Sequence, residues 1–96
     1  MYSKRMFNDP EYQWDETKAE SNLAKHGVDF NLVKQLDWNS ALTKKQFRNG
    51  ESRYFTHAFI TGRLYVLIWT ERFDSIRVIS LRKANKREGL YYARYY

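Results

Sequence analysis

The sequence predicts a small α+β domain in which two N-terminal helices precede an antiparallel sheet and a third helix follows it. Three observations support this fold class: apolar residues at helical spacing in the first half, three strand-like runs joined by short turns, and a capped helical segment at the end. The 96 residues suffice for one hydrophobic core. We therefore expect residues 1–96 to form one domain, with residues 1–11 as a loose leader.

The first helix is predicted from Asp15 to about His26. Before it, residues 12–14 alternate aromatic and polar side chains, which is typical of a short strand. Asp15 can cap the helix N-terminus, and Gly27 can adopt the left-handed conformation at its C-terminus.

The faces of this helix follow from its spacing. Ala19, Leu23 and His26 recur at i, i+4 and i+7, which predicts that they form the buried stripe. The adjacent face, at the same spacing, is expected to be available for function and carries Lys18, Asn22 and Lys25.

A second, shorter helix is predicted from Asp29 to about Asp37, because Phe30 and Val33 recur at helical spacing. Beyond it we expect an edge strand that includes residues 41–43, and then a basic loop over residues 44–50.

The sheet is predicted to be a three-strand antiparallel meander formed by residues 53–61, 64–70 and 76–82, with short turns between them. In the third run, regular alternation would direct Arg77 towards the same side as Ile79 and Leu81. An arginine on an apolar face is costly unless it is paired or reaches a site. The C-terminal helix begins at Asn85, which has capping-box spacing to Glu88.

The composition excludes several kinds of chemistry. The chain has no cysteine, which rules out disulfides, zinc-thiolate sites and thiol nucleophiles, and two histidines alone make a poor metal site. We expect no cofactor. Residues 1–14 contain no apolar run of the signal-peptide type, and the longest apolar stretch, residues 64–69, is too short to cross a bilayer. We therefore expect a cytoplasmic protein with no membrane partner.

The positive charge is concentrated in the second half of the chain. Residues 1–40 carry five Lys/Arg and seven Asp/Glu, a net charge of −2, whereas residues 41–96 carry twelve and four, a net charge of +8. Eight of those twelve cations are arginines, whose forked donors match phosphate. Together with an aromatic content of 18%, this charge favours contact with nucleic acid, although solubility alone could explain it.

RNA cleavage by the neighbouring 2′-hydroxyl suits this set of residues. The nucleophile comes from the RNA, so the protein needs only to move protons and to stabilise negative charge on the phosphorus centre. The candidates for proton transfer are His26, His57, Glu51 and Lys25.

Most of these candidates also have a structural interpretation. His57 lies within a strand among aromatic residues, which favours a sheet residue satisfied by hydrogen bonds. Glu51 and Arg53 can share one side of a strand and form a surface ion pair. The regular spacing of five residues between Arg72, Arg77 and Arg82 is the sharper signal.

Two motifs in order resemble the BrnT family, the toxins of BrnT-BrnA type II toxin-antitoxin systems. The first is Trp14-Asp15-x-x-Lys18-Ala19-x-x-Asn22-x-x-Lys25-His26-Gly27-Val28-x-Phe30. The second half supplies Glu51-x-Arg53, Gly62-Arg63-Leu64, Trp69-Thr70-x-Arg72, Arg77-x-Ile79-Ser80-x-Arg82-x-Ala84 and Arg87-Glu88.

The resemblance implies a RelE-like fold and a ribonuclease toxin that needs no metal, inhibits translation and is neutralised by a cognate BrnA-like antitoxin. It also implies contact with operator DNA only through the antitoxin. Departures from the family pattern include the long leader, Leu81 in place of a smaller residue, and the tyrosine-rich C-terminus.

We expect Arg72, Arg77 and Arg82 to hold phosphate, and Lys25 and Arg53 to line the same face. Glu51 or His26 would transfer protons. The expected catalytic set is Lys25, His26, Glu51, Arg53, Arg72, Arg77 and Arg82, and the expected RNA-binding set is Lys18, Arg63, Trp69 and Lys83.

Two alternatives remain open at the level of sequence. The same fold also supports toxins that bind a protein target such as gyrase without cleaving RNA. A basic module that binds nucleic acid without catalysis is the other alternative.

Overall fold

A computed structural model describes residues 10–96 and has an α+β fold with one five-stranded sheet. The strands lie in the order β1-β5-β4-β3-β2, and β1 pairs with β5 in the parallel sense. The elements are β1 (Tyr12–Gln13), α1 (Glu16–His26), two 3₁₀ helices (Phe30–Gln35 and Trp38–Ser40), β2 (Leu42–Arg48), β3 (Glu51–Ile60), β4 (Arg63–Arg72), β5 (Ser75–Lys83) and α2 (Lys86–Tyr95).

The predicted α+β class is confirmed, but the antiparallel meander has four strands, β2 to β5, instead of three. The predicted basic loop over residues 44–50 is mostly the edge strand β2, which pairs with β3 from Leu42↔His57 to Arg48↔Glu51. The sequence pattern does not reveal this strand, because an exposed edge strand needs little apolar alternation. The strand is stabilised by its pairing with β3.

The three hairpin turns have two-residue loops in which both residues have positive φ. This conformation matches the right-handed twist of paired strands. The predicted turns after β3 and β4 are therefore confirmed, and the turn residues are Asn49-Gly50, Thr61-Gly62 and Phe73-Asp74.

The predicted second helix is a 3₁₀ helix of six residues, Phe30–Gln35. Asp29 caps it as expected, because its side chain accepts a hydrogen bond from the Asn31 N–H. The helix stops early because Leu36 is extended and forms a bridge with Ile60 of β3. Here tertiary pairing overrides the helical spacing.

Helix α1 has the predicted limits and caps, with Asp15 at its N-terminus and Gly27 at φ 70° after its C-terminus. Its predicted buried stripe is confirmed only for Ala19, which packs against the core. Leu23 is 50% exposed and His26 is also exposed, whereas Asn22, predicted on the functional face, is only 6% exposed. The buried amide of Asn22 therefore joins the helix to β5 where an apolar contact was expected.

Asn22 makes the contacts that explain its burial. Its Nδ2 donates to the carbonyls of Leu81 at 2.8 Å and Val28 at 3.0 Å, and its Oδ1 accepts from the Leu81 N–H at 3.3 Å. A buried amide with its polar atoms satisfied in this way is stable in a core.

The main hydrophobic core lies on one face of the sheet, which we call the core face. It is covered by α1 and the first 3₁₀ helix, and Trp69 at its centre is fully buried with Nε1 donating to Thr56 Oγ1 at 2.8 Å. Other fully buried residues of this cluster include Phe30, Leu67, Ile76 and Leu81.

The N-terminal leader predicted over residues 1–11 is described only in part, because residues 1–9 lie outside the described chain. Glu11 is not loose: its carbonyl accepts a hydrogen bond from the Ile76 N–H at 2.8 Å. Within residues 10–96, no helix has the length and apolar character that crossing a membrane requires.

Candidate active site

The sheet face opposite the core face collects the predicted arginines, because cross-strand partners in a ladder share a face. Arg53 pairs with Gln46, while Arg77 pairs with Thr70 on one side and with Gln13 on the other. Extending the β3–β4 register by one residue brings Arg53 beside Thr70. We call this the arginine face; its charged residues on β3 to β5 are Glu51, Arg53, Arg72, Arg77 and Arg82.

A β-bulge puts Arg77 and Arg82 on the same face. Arg82 is five positions after Arg77, and in a regular strand an odd offset directs two side chains to opposite faces. The register between β4 and β5 shifts at this point, where Trp69 pairs with Val78 and Ile68 pairs with Ser80, and one extra residue, Ile79, is accommodated.

The predicted surroundings of Arg77 are wrong, because the bulge changes which residues share its face. Leu81 lies on the core face and is fully buried, so Arg77 does not lie on an apolar face with it. Arg77 is half-buried, and its Nη1 donates to Gln13 Oε1 at 2.9 Å. Among residues 10–96, no carboxylate lies within ion-pair distance of this guanidinium. Its positive charge is therefore available to an anion.

Glu51 and Arg53 form the expected ion pair at the start of β3, with Arg53 Nε 3.4 Å from Glu51 Oε2. Arg72 lies at the end of β4, where it pairs with Ser75 and is exposed. This end of the arginine face is open to solvent and carries charges of both signs.

At the other end of the face, Arg82 binds the C-terminal helix. Its Nη1 and Nη2 donate to the two carboxylate oxygens of Glu88, each at 2.8 Å. Glu88 also completes the predicted capping box by accepting from the Asn85 N–H at 2.9 Å. The Arg82 guanidinium holds the pKa of the Glu88 carboxyl below its usual value, and the same bond raises the pKa of Arg82. This ion pair fastens α2 over the sheet.

A cleft of about 440 Å³ lies between α2 and strands β2 and β3. His57 lies on its wall, 6% exposed, with an Nδ1 that makes no hydrogen bond of good geometry. Burial lowers the pKa of His57, although the Glu88 carboxylate partly opposes this effect. The Tyr91 ring lies 5.4 Å from the His57 ring.

Lys25 and His26 do not lie on the arginine face, contrary to prediction for Lys25. Both are exposed on α1, where they line a separate groove of about 210 Å³ with Lys18. The groove meets the sheet at Ile79 and Ser80, the site of the bulge. These three residues border β5 at that point.

Of the predicted RNA-binding residues, Trp69 is ruled out as a surface contact because it is fully buried in the core. Arg63 is exposed in the hairpin after β3, with Nη2 donating to the Ala84 carbonyl at 3.4 Å. Lys83 is exposed at the end of β5 and pairs with Tyr65, a residue of the core face. Neither cation belongs to the arginine face.

The sequence favoured a structural role for His57 and gave Glu88 a capping role, whereas the structure places both at one cleft. The alternation in β3 contained the missing signal, because Arg53, Phe55 and His57 follow one another at every second position and share one face. The coverage of that face by α2 has no comparable local signal, since it arises from the bond between Arg82 and Glu88 and from the packing of Tyr92 against a small buried cluster that includes Val66.

Within the described residues 10–96, no group of three or more His, Asp or Glu side chains lies close enough to hold a metal ion. The charged and aromatic side chains described above therefore constitute the candidate site.

Comparison with known proteins identifies a family. Residues 14–88 match the family described as the ribonuclease toxin, BrnT, of type II toxin-antitoxin systems. The crystal structure of the Brucella abortus ribonuclease toxin BrnT is similar, with a TM-score of 0.66 and 26% sequence identity over 80% of this chain and 99% of that one. No curated protein sequence gives a significant match.

The family match spans the core, the arginine face and the first residues of α2. It confirms the resemblance found in the sequence, and it favours the ribonuclease over the two non-catalytic alternatives. The toxin of such a system has an antitoxin as its partner. The chain belongs to the BrnT family of ribonuclease toxins of type II toxin-antitoxin systems.

Proposed function

We propose that this toxin cleaves RNA without a metal ion and that the arginine face is its catalytic surface. The 2′-oxygen of the RNA attacks the adjacent phosphorus, the bond to the 5′-oxygen breaks, and a 2′,3′-cyclic phosphate forms. The proton of the 2′-hydroxyl passes to a base on the protein, and the leaving 5′-oxygen takes up a proton from solvent water. Loss of translation follows from damage to cellular RNA.

The uncompensated charge of Arg77 is the observation that carries this proposal. Arg53 and Arg82 each contact a carboxylate, whereas Arg77 contacts the neutral amide of Gln13. A half-buried guanidinium that is held in place by a neutral partner can stabilise the negative charge that develops in the transition state. Arg72 and Arg53 would hold the flanking phosphates from the open end of the same face.

Glu51 is the proposed base, because its carboxylate is on the arginine face at its open end and lies beside Arg53. His26, the other residue predicted to transfer protons, lies on α1 beside the β5 edge. Lys18, Lys25, Arg63 and Lys83 would contribute a positive field that attracts RNA without taking part in the reaction.

Cleavage of RNA by the purified protein in EDTA tests the reaction, and Arg77→Ala tests the site. Removing a donor that stabilises the transition state typically lowers the rate by about 10² to 10³. The thermal midpoint should change little, because the substitution removes one hydrogen bond to a half-buried side chain. Arg94→Ala is the matched control, since Arg94 is exposed on α2 beside Tyr95 and away from the sheet face.

Cleavage that requires an added divalent ion would contradict metal-free catalysis. Equal rates for Arg77→Ala and Arg94→Ala would remove Arg77 from the site. Growth arrest with intact RNA would favour the toxin that binds a protein target such as gyrase.

We further propose that a BrnA-like antitoxin neutralises the toxin in the cytoplasm by covering the arginine face with acidic or apolar groups. Contact with operator DNA would then be made only through that antitoxin. Arg77 should be protected from arginine-specific chemical modification in the complex and modified in the free toxin. Inhibition with Arg77 equally reactive in both states would show that the antitoxin acts from another surface.

A further inference from the structure

The cleft beneath α2, lined by Lys44, Gln46, Phe55, His57, Glu88 and Tyr91, is distinct from the phosphate-holding arginines. Its volume of about 440 Å³ lies within the roughly 300–1,000 Å³ typical of small-ligand sites. The cleft opens on the same sheet face as Arg53, because Phe55 and His57 follow Arg53 at alternate positions of β3.

Aromatic rings form much of the cleft wall. Phe55 and Tyr91 are half-buried, and the Tyr91 ring packs against His57 at 5.4 Å. Lys44 Nζ lies 5.1 Å from the Tyr91 ring centroid, and its side chain is exposed. A planar aromatic ligand could replace this exposed cation over the Tyr91 ring, because stacking on aromatic side chains suits any nucleobase.

Polar groups also line the cleft beside these rings. His57 is buried on the wall and its Nδ1 has no hydrogen-bond partner of good geometry, which is uncommon for a buried nitrogen. The carboxylate of Glu88 is held in place by Arg82, and the amide of Gln46 is exposed at the cleft. A ligand with donors and acceptors along one edge would meet these groups.

The position and charge of the cleft fit RNA. Phe55 lies two residues from Arg53 on the same face of one strand, a separation of about 7 Å, comparable to the distance between the phosphate and the base of one nucleotide. Lys44, Lys45 and Arg87 also line the cleft and give it a positive charge. Sequence-specific recognition of RNA commonly uses an unstacked base held against aromatic side chains.

We propose that this cleft binds one unstacked base of the RNA next to the cleaved phosphate, with Tyr91 and Phe55 stacking on the base and His57 and Gln46 contacting its edge. The inference rests on the proposed function, since it assumes that the phosphate lies on the arginine face. It assigns to the cleft the choice of cleavage site, whereas the arginines act on the phosphate of any nucleotide.

Cleavage kinetics of short oligoribonucleotides test the subsite. One series carries each base in turn beside the cut, and another carries an abasic residue there. Tyr91→Ala should lower kcat/KM roughly 10-fold on substrates with a base, mainly by raising KM, and should have little effect on the abasic substrate. Tyr91→Phe should retain most of the activity because its ring is preserved.

Gln46→Ala, at an exposed strand position, should change the order of preference among the four bases without changing the thermal midpoint. It keeps the test valid if Tyr91→Ala fails to fold. Phe47→Ala is the matched aromatic control, because Phe47 is 72% exposed and pairs with Ser52 outside the cleft. It should cleave as the wild type does.

The two proposals fail in distinguishable ways. If the wild-type protein cleaves no RNA, the proposed function is wrong. If it cleaves base-containing and abasic substrates equally well, or if Tyr91→Ala slows both to the same extent, the base subsite is wrong. NMR shifts of His57 and Tyr91 that respond to antitoxin but not to a noncleavable 2′-deoxy oligonucleotide would make the cleft a protein-binding site and also overturn it.

Discussion

The same strands form both faces of the sheet, but the two faces carry different kinds of residues. The core face carries fully buried apolar residues such as Trp69 and Leu67, covered by α1 and a 3₁₀ helix. The arginine face carries Arg53 and Arg77, and α2 covers only part of it, through the bond from Arg82 to Glu88 and a small apolar cluster against which Tyr92 packs. Stability should therefore depend chiefly on one face and RNA cleavage on the other.

The contrast predicts that substitutions of buried residues on the core face remove activity by unfolding the protein, whereas substitutions of the charged residues on the arginine face remove it from a folded protein.

Trp69→Ala should lower the free energy of unfolding by about 3 to 5 kcal/mol, because it leaves a cavity at the centre of the core and deprives Thr56 of its hydrogen-bond donor. Denaturant unfolding followed by circular dichroism measures this loss. Any protein that remains folded should cleave RNA at the wild-type rate per folded molecule. Slow cleavage by a fully folded Trp69→Ala protein would show that the two faces are not independent.

Asn22→Ala should lower the free energy of unfolding by about 1 to 3 kcal/mol, because the polar backbone atoms of Leu81 and Val28 lose their partner inside the protein. Its neighbour Leu23 is the matched control. Leu23→Ala should change stability by less than about 0.5 kcal/mol, because the side chain is half-exposed. Thermal and denaturant unfolding of the two variants should therefore reverse the order that the helical pattern predicts; a larger loss for Leu23→Ala would contradict the structure.

The smallest effect concerns pH and the attachment of α2. The folded-state pKa of Glu88 lies below its unfolded value, so between those two values the unfolded chain binds more protons than the folded one. The stability contributed by the Arg82–Glu88 pair is fully present above the unfolded pKa of about 4.3, and it decreases as the pH falls through the folded pKa.

Glu88→Gln should therefore lower the free energy of unfolding at pH 7 by about 1 kcal/mol. It should also lose less thermal stability than the wild type between about pH 5 and pH 3. Melting curves across this range measure both effects. Glu20→Gln, at an exposed position of α1, is the control and should follow the wild-type curve. Parallel curves for Glu88→Gln and the wild type would mean that the ionisation of Glu88 adds nothing to stability.

The sequence by itself determined the features that depend on short-range hydrogen bonds or on the chemical type of the residues. Asp15 and Gly27 fixed the ends of α1, and Asn85 with Glu88 fixed the start of α2, because helix caps act within a few residues. The arginine-rich second half indicated phosphate chemistry, and the two motifs identified the family. These features can be identified without knowing which residues distant in sequence are in contact.

Only the tertiary structure decided which face each residue occupies. The bulge at Ile79 brings Arg77 and Arg82 to one face, and its position depends on pairing with β4. Asn22 is buried because the polar backbone of β5 requires partners there, which no property of the helix alone reveals. Registers, bulges and buried polar contacts join residues far apart in sequence, so local patterns carry no information about them.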